Sequence, residues 1–209
     1  MPRTTKRVRN VAITPPWLGV DVGARRKGFH TALVDEQRLL DLSGGLSVDA
    51  VVARVESLRP AIVAIDSPRS CAPDGRSTRA GERELARAVC GIRWTPDAAH
   101  VRANPYYDWI VEGLALFDAL ADRGVAVIEV FPTASWTRWF GQRGTRSRSA
   151  WTTAGLASLG LEGVPARTNQ DERDAVAAAV TAREHSLGLT ESFGEIVVPT
   201  NFVTNFTTG

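Results

Sequence analysis

The chain has 209 residues, 44% of them hydrophobic and 23% charged, enough apolar material for one packed domain and too much for wholesale disorder. Its 25 basic and 23 acidic residues leave a formal charge of +2, which excludes a histone-like polycation. The pI of 8.8 is only a mild pull toward anionic partners.

Lys6 and Lys27 are the only lysines; every other basic residue is an arginine. Two cysteines, Cys71 and Cys90, and three scattered histidines give neither a disulfide framework nor zinc-ligand spacing. No apolar run approaches the ~20 residues that cross a bilayer, and no apolar core of signal-peptide length follows the basic N-terminus. The expectation is a soluble, cytoplasmic protein with no membrane partner. Residues 1–15 read as a flexible basic arm, 16–200 as the folded domain and 201–209 as a polar tail, where Asn205-Phe206-Thr207 matches the glycosylation pattern by chance.

Residues 18–23 (LGVDVG) form a short apolar run that reads as a buried strand. A charged turn, Ala24-Arg25-Arg26-Lys27, leads to GFHTALVDE (28–36) and then RLLDLSGG (38–45), so close spacing predicts a three-stranded antiparallel meander. Ser47 is a candidate N-cap for a helix over 48–58, with Val48, Val51, Val52, Val55 and Leu58 at helical spacing and Pro60 as its stop. AIVAIDSP (61–68) has the continuous apolar character of a central parallel strand. Residues 69–77 are loop-like, 78–92 a charged helix and 106–123 a strongly amphipathic one. VAVIEVFP (125–132) is the next buried strand. Helices over 134–140 and 149–159 flank the basic loop GQRGTRSRS. The last long helix covers 171–186, ended by Gly188, and EIVVP (195–199) reads as a final short strand. A meander followed by alternating helix and strand gives a mixed α/β sheet with helices on both faces.

The sharpest signal is acid inside apolar strands: Asp21 in LGVDVG, Asp66 at the end of AIVAID, Glu129 within VAVIEVFP. A buried carboxylate needs compensation, and a shared cation at the C-terminal ends of neighbouring parallel strands would give it. Asp171 and Asp174 share one face of the last helix. Oxygen ligands without nearby His or Cys suit Mg²⁺ or Mn²⁺, and two such ions ~4 Å apart serve in-line phosphodiester displacement.

Each residue also has a plainer reading. Asp66 fits a turn, Asp171 a helix cap, and Glu129 a partner for an arginine. Arg25, Arg26 and Lys27 in the first hairpin, and Arg143, Arg146 and Arg148 in the basic loop, are candidate phosphate contacts or solvated charges. Trp136, Trp139 and Trp151 fit base stacking or, at helical spacing, the core. His30 reads as packed. Arg79, Arg83 and Arg87 make a stripe that Glu82 and Glu84 would pair on the surface. Gly19-x-Asp21-x-Gly23 lacks the third glycine of a dinucleotide fingerprint.

Taken in order, GVDVGARRKGFHTALVD, VAIDSP, GERELARAVCGIRWTP, VIEVFPTASW, QDERDAVAAAVTARE and EIVVP resemble the bacterial and archaeal family of predicted RNase H-fold nucleases catalogued as domain of unknown function 429. The first block is also similar to the YqgF and RuvC resolvase group. The resemblance implies a ribonuclease H-like mixed five-stranded sheet with extra inserted helices. It also implies acids on the first strand, the fourth strand and the final helix: Asp21, Asp66 and Asp174, with Asp171 beside it and Glu129 as an additional or supporting group. The expectation is a nuclease dependent on Mg²⁺ or Mn²⁺, with DNA or RNA as partner. The alternative is a non-catalytic module of the same fold that binds nucleic acid or a protein, in which the acids are separated or tied up by arginines. An actin-like nucleotide-binding protein ranks last, because it needs two lobes.

Overall fold

The computed structural model describes residues 16–200, so the expected basic arm and polar tail lie outside the described residues. The meander is present as β1 (Trp17–Asp21), β2 (Phe29–Val34) and β3 (Leu39–Leu46), paired antiparallel. Helix α1 (Val48–Leu58) follows, its first turn closed by the Ser47 hydroxyl accepting from the Ala50 amide. Strand β4 (Ile62–Asp66) lies parallel to β1, and β5 (Ala126–Val130) parallel to β4. Between them come α2 (Ala80–Ala88), α3 (Ala98–Ala103), a 3₁₀ turn at Pro105–Tyr107 and α4 (Asp108–Leu120). After β5 come α5 (Pro132–Phe140), α6 (Arg148–Ser158), α7 (Gln170–Ser186), β6 (Thr190–Phe193) and β7 (Ile196–Pro199).

The sheet has seven strands in the order β3-β2-β1-β4-β5-β7-β6, where five were expected. Strand β7 adds parallel to β5, and β6 turns back antiparallel onto it through Gly194, whose φ of 61° suits a residue without a Cβ. The expectation missed β6 because TESF is short, polar and half-exposed, with no apolar alternation to mark it.

Strand pleating divides the core into two layers. Leu18, Val20, Val63 and Ile65 pack with α1 and α4, while Trp17, Ala64 and Val130 pack with α5, α6 and α7. Helix α7 is buried along most of its length and lies across β1, β2 and β4. Its run of alanines lets it approach closely, and Gly19 completes the fit. A Cβ at that position would fall 2.1 Å from the Ala175 carbonyl oxygen and 2.2 Å from the Ala179 amide nitrogen. An Asn169–Glu172 capping box starts α7 just beyond the end of β1, so its first turn overhangs the strand ends.

Because the obstruction at Gly19 is backbone, no rotamer change relieves it. Gly19→Ala is expected to destabilise the protein at the upper end of the ~1–3 kcal/mol typical of overpacking, read in denaturant melts. Gly91→Ala, where nothing lies within 4 Å of the added carbon and φ is not positive, gives the effect of replacing a glycine without the clash.

Candidate functional site

Three neighbouring strands present polar residues at one level. Asp21 closes β1, paired in register with Asp66 of β4 on one side and with His30 of β2 on the other. Alternation turns all three toward α7, since they continue the rows Trp17-Gly19-Asp21, Ile62-Ala64-Asp66 and His30-Ala32-Val34 that pack beneath it. The first turns of α7 add Asp171 and Asp174 from above. All four aspartates line one cleft of about 610 Å³.

The aspartates differ in what holds them. Asp174 is buried and well satisfied: it accepts from the Trp136 indole (3.1 Å), from the Gln170 amide (3.0 Å to each oxygen) and from Arg148 (2.7 Å). Asp171 pairs with Lys27 at 2.7 Å, and Asn169 rather than Asp171 caps the helix. Asp21 is 8% exposed. Among the described residues no donor hydrogen-bonds to the side chain of Asp21 or Asp66; only burial and neighbouring charges act on them. Burial, reinforced by Asp174 and Asp171, pushes the Asp21 carboxyl up to about 8. Burial, with Asp21 and Asp174 beside it, raises Asp66 well above the carboxylate range. Burial also raises Asp174, against the opposing pull of Arg148, Gln170 and Trp136. Among the described residues, the acids, histidines and cysteines whose ligand atoms all lie within 4.8 Å of one another are Asp21, His30 and Asp171. Asp66 and Asp174 line the same cleft outside that group, and oxygen donors of this kind suit a hard divalent cation.

Glu129 lines the same cleft and adds to the charge around Asp66, but other partners hold it. It pairs in register with Ile65, one residue short of Asp66, and the pleat therefore directs it to the opposite face. There Arg79 grips both of its oxygens, one contact being 2.8 Å, and the Arg69 amide adds a third bond at 2.8 Å. Pairing with an arginine is thus the reading that the geometry supports for Glu129. Arg79 also binds Glu82, which is fully buried and accepts from Thr78 and the Thr95 amide. The expected surface stripe on α2 is at this point an internal ion network.

The basic residues separate as well. Lys27 and Arg148 stand over the acids, each about half exposed. Arg25 pairs with Glu112 at 3.2 Å, and Arg26 is exposed beside it. Arg143 is exposed, whereas Arg146 folds back onto the Gln142 and Arg143 carbonyls and over the Phe140 ring. Trp136, Trp139 and Trp151 are core residues.

Sequence reasoning passed over a different set of groups. Trp94 and Tyr106 are 45% and 55% exposed, and Arg93, at the cleft wall, lies over the Tyr106 ring. Ser67 Oγ and Trp109 Nε1 are buried beside the same cleft with no partner among the described residues. Residues 93–105 lack a periodic signal, and Tyr106 and Trp109 open an amphipathic helix whose spacing marks only its packed face, so the sequence pattern does not single these groups out.

A family model described as "Protein of unknown function (DUF429)" matches residues 19–197. No curated protein matches the sequence. Among solved structures, a Thermus thermophilus RuvC structure aligns at 18% identity over 82% of this chain and 95% of that one, with a TM-score of 0.46. T. thermophilus RuvC in complex with Holliday junction substrate aligns at 18% identity over 82% of this chain and 96% of that one, with a TM-score of 0.49.

Two outcomes follow from the electrostatics. The Asp21 carboxyl titrates near 8 when folded and near 3.8 when unperturbed, so between those values the folded chain keeps a proton that the unfolded chain has released. Stability of the metal-free protein therefore falls as pH rises through that window. In EDTA, Asp21→Asn is expected to melt above wild type at about pH 8.5 by several degrees (~2–4 °C per kcal/mol), with the margin closing toward about pH 5. A margin independent of pH would contradict the assignment. Separately, Arg79→Leu strands Glu129 and Glu82 without their cation and is expected to cost about 3–5 kcal/mol in denaturant unfolding.

Proposed function

The chain belongs to the DUF429 family, and we propose that it is a ribonuclease H-like, divalent-metal-dependent nuclease that hydrolyses phosphodiester bonds in DNA or RNA. The observation that carries this reading is the in-register pair Asp21 and Asp66, bare of donors and facing Asp174 across one cleft. Such carboxylates are stabilised by a cation, and Mg²⁺ or Mn²⁺ suits an oxygen donor set. Asp21 and Asp171, with oxygens within 4.8 Å of each other, would hold the metal, and Asp66 and Asp174, lining the same cleft, would complete its shell. A divalent cation bound there supplies Lewis acidity toward a phosphodiester and favours the ionised form of water at neutral pH.

The remaining chemistry belongs to the chain. Trp136 and Gln170 fix the Asp174 carboxylate, so that end of the site is set before substrate arrives. Lys27 and Arg148 place positive charge at the mouth, where phosphate oxygens can replace Asp171 and Asp174 as partners. Arg93, at the cleft wall, lies over the exposed Tyr106 ring, and Trp94 next to it in sequence is exposed, side chains of the kind on which bases stack. With a formal charge of only +2, affinity for nucleic acid rests on these local contacts rather than on a general polycation. Glu129, gripped by Arg79, acts in this reading by holding the loop after β4, so that Asp66 ends its strand in place.

One observation favours the second reading, a non-catalytic module. Arg148 and Lys27 already neutralise Asp174 and Asp171, as a fold that has given up metal would require. Calorimetry separates the two: Mn²⁺ is expected to bind wild type and to lose that binding in Asp21→Asn. Labelled single-stranded, duplex and branched DNA and RNA are then expected to be cut with Mg²⁺ or Mn²⁺ and left whole in EDTA or by Asp66→Asn. Binding without cleavage across that panel would favour the module; equal Mn²⁺ binding by both proteins would remove the metal site.

A further inference from the structure

The carboxylate reading leaves one residue of the row unused. His30 faces the same space as Asp21, its register partner. Its Nδ1 is buried and has no hydrogen-bond partner among the described residues. The nearest carboxylate oxygen, Asp171 Oδ2, lies 3.9 Å away, beyond hydrogen-bond reach. Lys27 occupies the other Asp171 oxygen. One ligand atom each from Asp21, His30 and Asp171 lies within 4.8 Å of the other two.

The ring is seated for this direction. A Cβ on Gly44 would fall 2.5 Å from His30 Cδ2 and 2.6 Å from Nε2, so the glycine leaves the room that the imidazole fills. With its Cδ2–Nε2 edge against the β3 backbone, the ring turns Nδ1 inward. An unprotonated ring nitrogen beside two carboxylates, with no hydrogen bond to either, is stabilised by a positive centre among them. Asp21, more than nine-tenths buried and without a donor, faces the same centre.

We propose that His30 is a nitrogen ligand to the divalent cation of this site, alongside Asp21 and Asp171, and that it makes the site prefer Mn²⁺ over Mg²⁺. Carboxylates alone serve Mg²⁺ well; imidazole favours first-row transition ions, and Mn²⁺ is the ion that accepts both donors among hard cations. The proposal rests on the metal reading above, and its test reports on each separately.

The protein is labelled with ¹⁵N-histidine, loaded with Mn²⁺ alone and measured by pulsed electron paramagnetic resonance. A nitrogen coupling that changes from the ¹⁴N to the ¹⁵N pattern is expected in wild type, with no variant needed. His30→Phe keeps a ring against Gly44 and is expected to abolish the coupling and weaken Mn²⁺ binding ~10–100-fold. Binding of Mg²⁺ is expected to change by no more than about twofold. Asp21-dependent Mn²⁺ binding without nitrogen coupling, or equal loss of both ions in His30→Phe, overturns the ligand role of His30 and leaves the carboxylate site standing. Absence of Asp21-dependent Mn²⁺ binding overturns both.

Discussion

At Gly19 helix α7 rests on strand β1 with no side chain between them, since the glycine meets the backbone of Ala175 and Ala179 directly. That contact fixes the depth and position of the helix, and with them the distance between acids carried by the helix and acids carried by the sheet. The Asp21 and Asp171 carboxylates have oxygens within 4.8 Å of each other, and when both are ionised they repel by about 3–4 kcal/mol at an effective dielectric of 20. A surface pair would relieve this by rotating into water. Here backbone pairing in register holds Asp21 beside Asp66, and the alanine face of α7 closes the space above them. The repulsion is therefore built into the fold and waits for an external positive charge.

The buried acids fall into two populations. Glu129 and Glu82 share Arg79, which neutralises them inside the protein and ties the start of α2 to the end of β5. Asp21 and Asp66 receive nothing comparable. The difference comes from the pleat: Glu129 is one residue out of phase with Asp66 and so meets a different set of neighbours. Asp174 and Asp171 are intermediate, paired with half-exposed cations that can exchange their partner for a phosphate. In the proposed reading a divalent cation takes the place of the protons that burial keeps on Asp21 and Asp66, beneath an anionic substrate that meets the outer cations.

Much of this was legible before any coordinates. The meander, the Ser47 cap, the parallel strands β4 and β5 and helix α7 follow from apolar spacing and punctuation by Pro and Gly. Asp21 stood out because a carboxylate inside LGVDVG has no ordinary structural reason. Less was readable where meaning depends on which face a residue takes. Glu129 looked equivalent to Asp66 because both interrupt apolar runs, and only the strand register separates them. His30 looked packed because a lone histidine in GFHTALV says nothing of its neighbours; its role depends on pairing with Asp21 and on the space that Gly44 leaves. Trp94 lies where no periodicity exists to be read, Tyr106 starts a helix whose spacing marks only its packed face, and β6 is too short and polar to announce itself.

The central claim is that one divalent cation is shared by Asp21 and Asp66. The most direct measurement is anomalous diffraction from crystals of the protein soaked in Mn²⁺. The account predicts a peak within about 2.0–2.4 Å of oxygens from both Asp21 and Asp66, at the end of the paired strands and beneath the first turn of α7. A cleft that stays empty at high Mn²⁺, or a peak held by other residues, would contradict it.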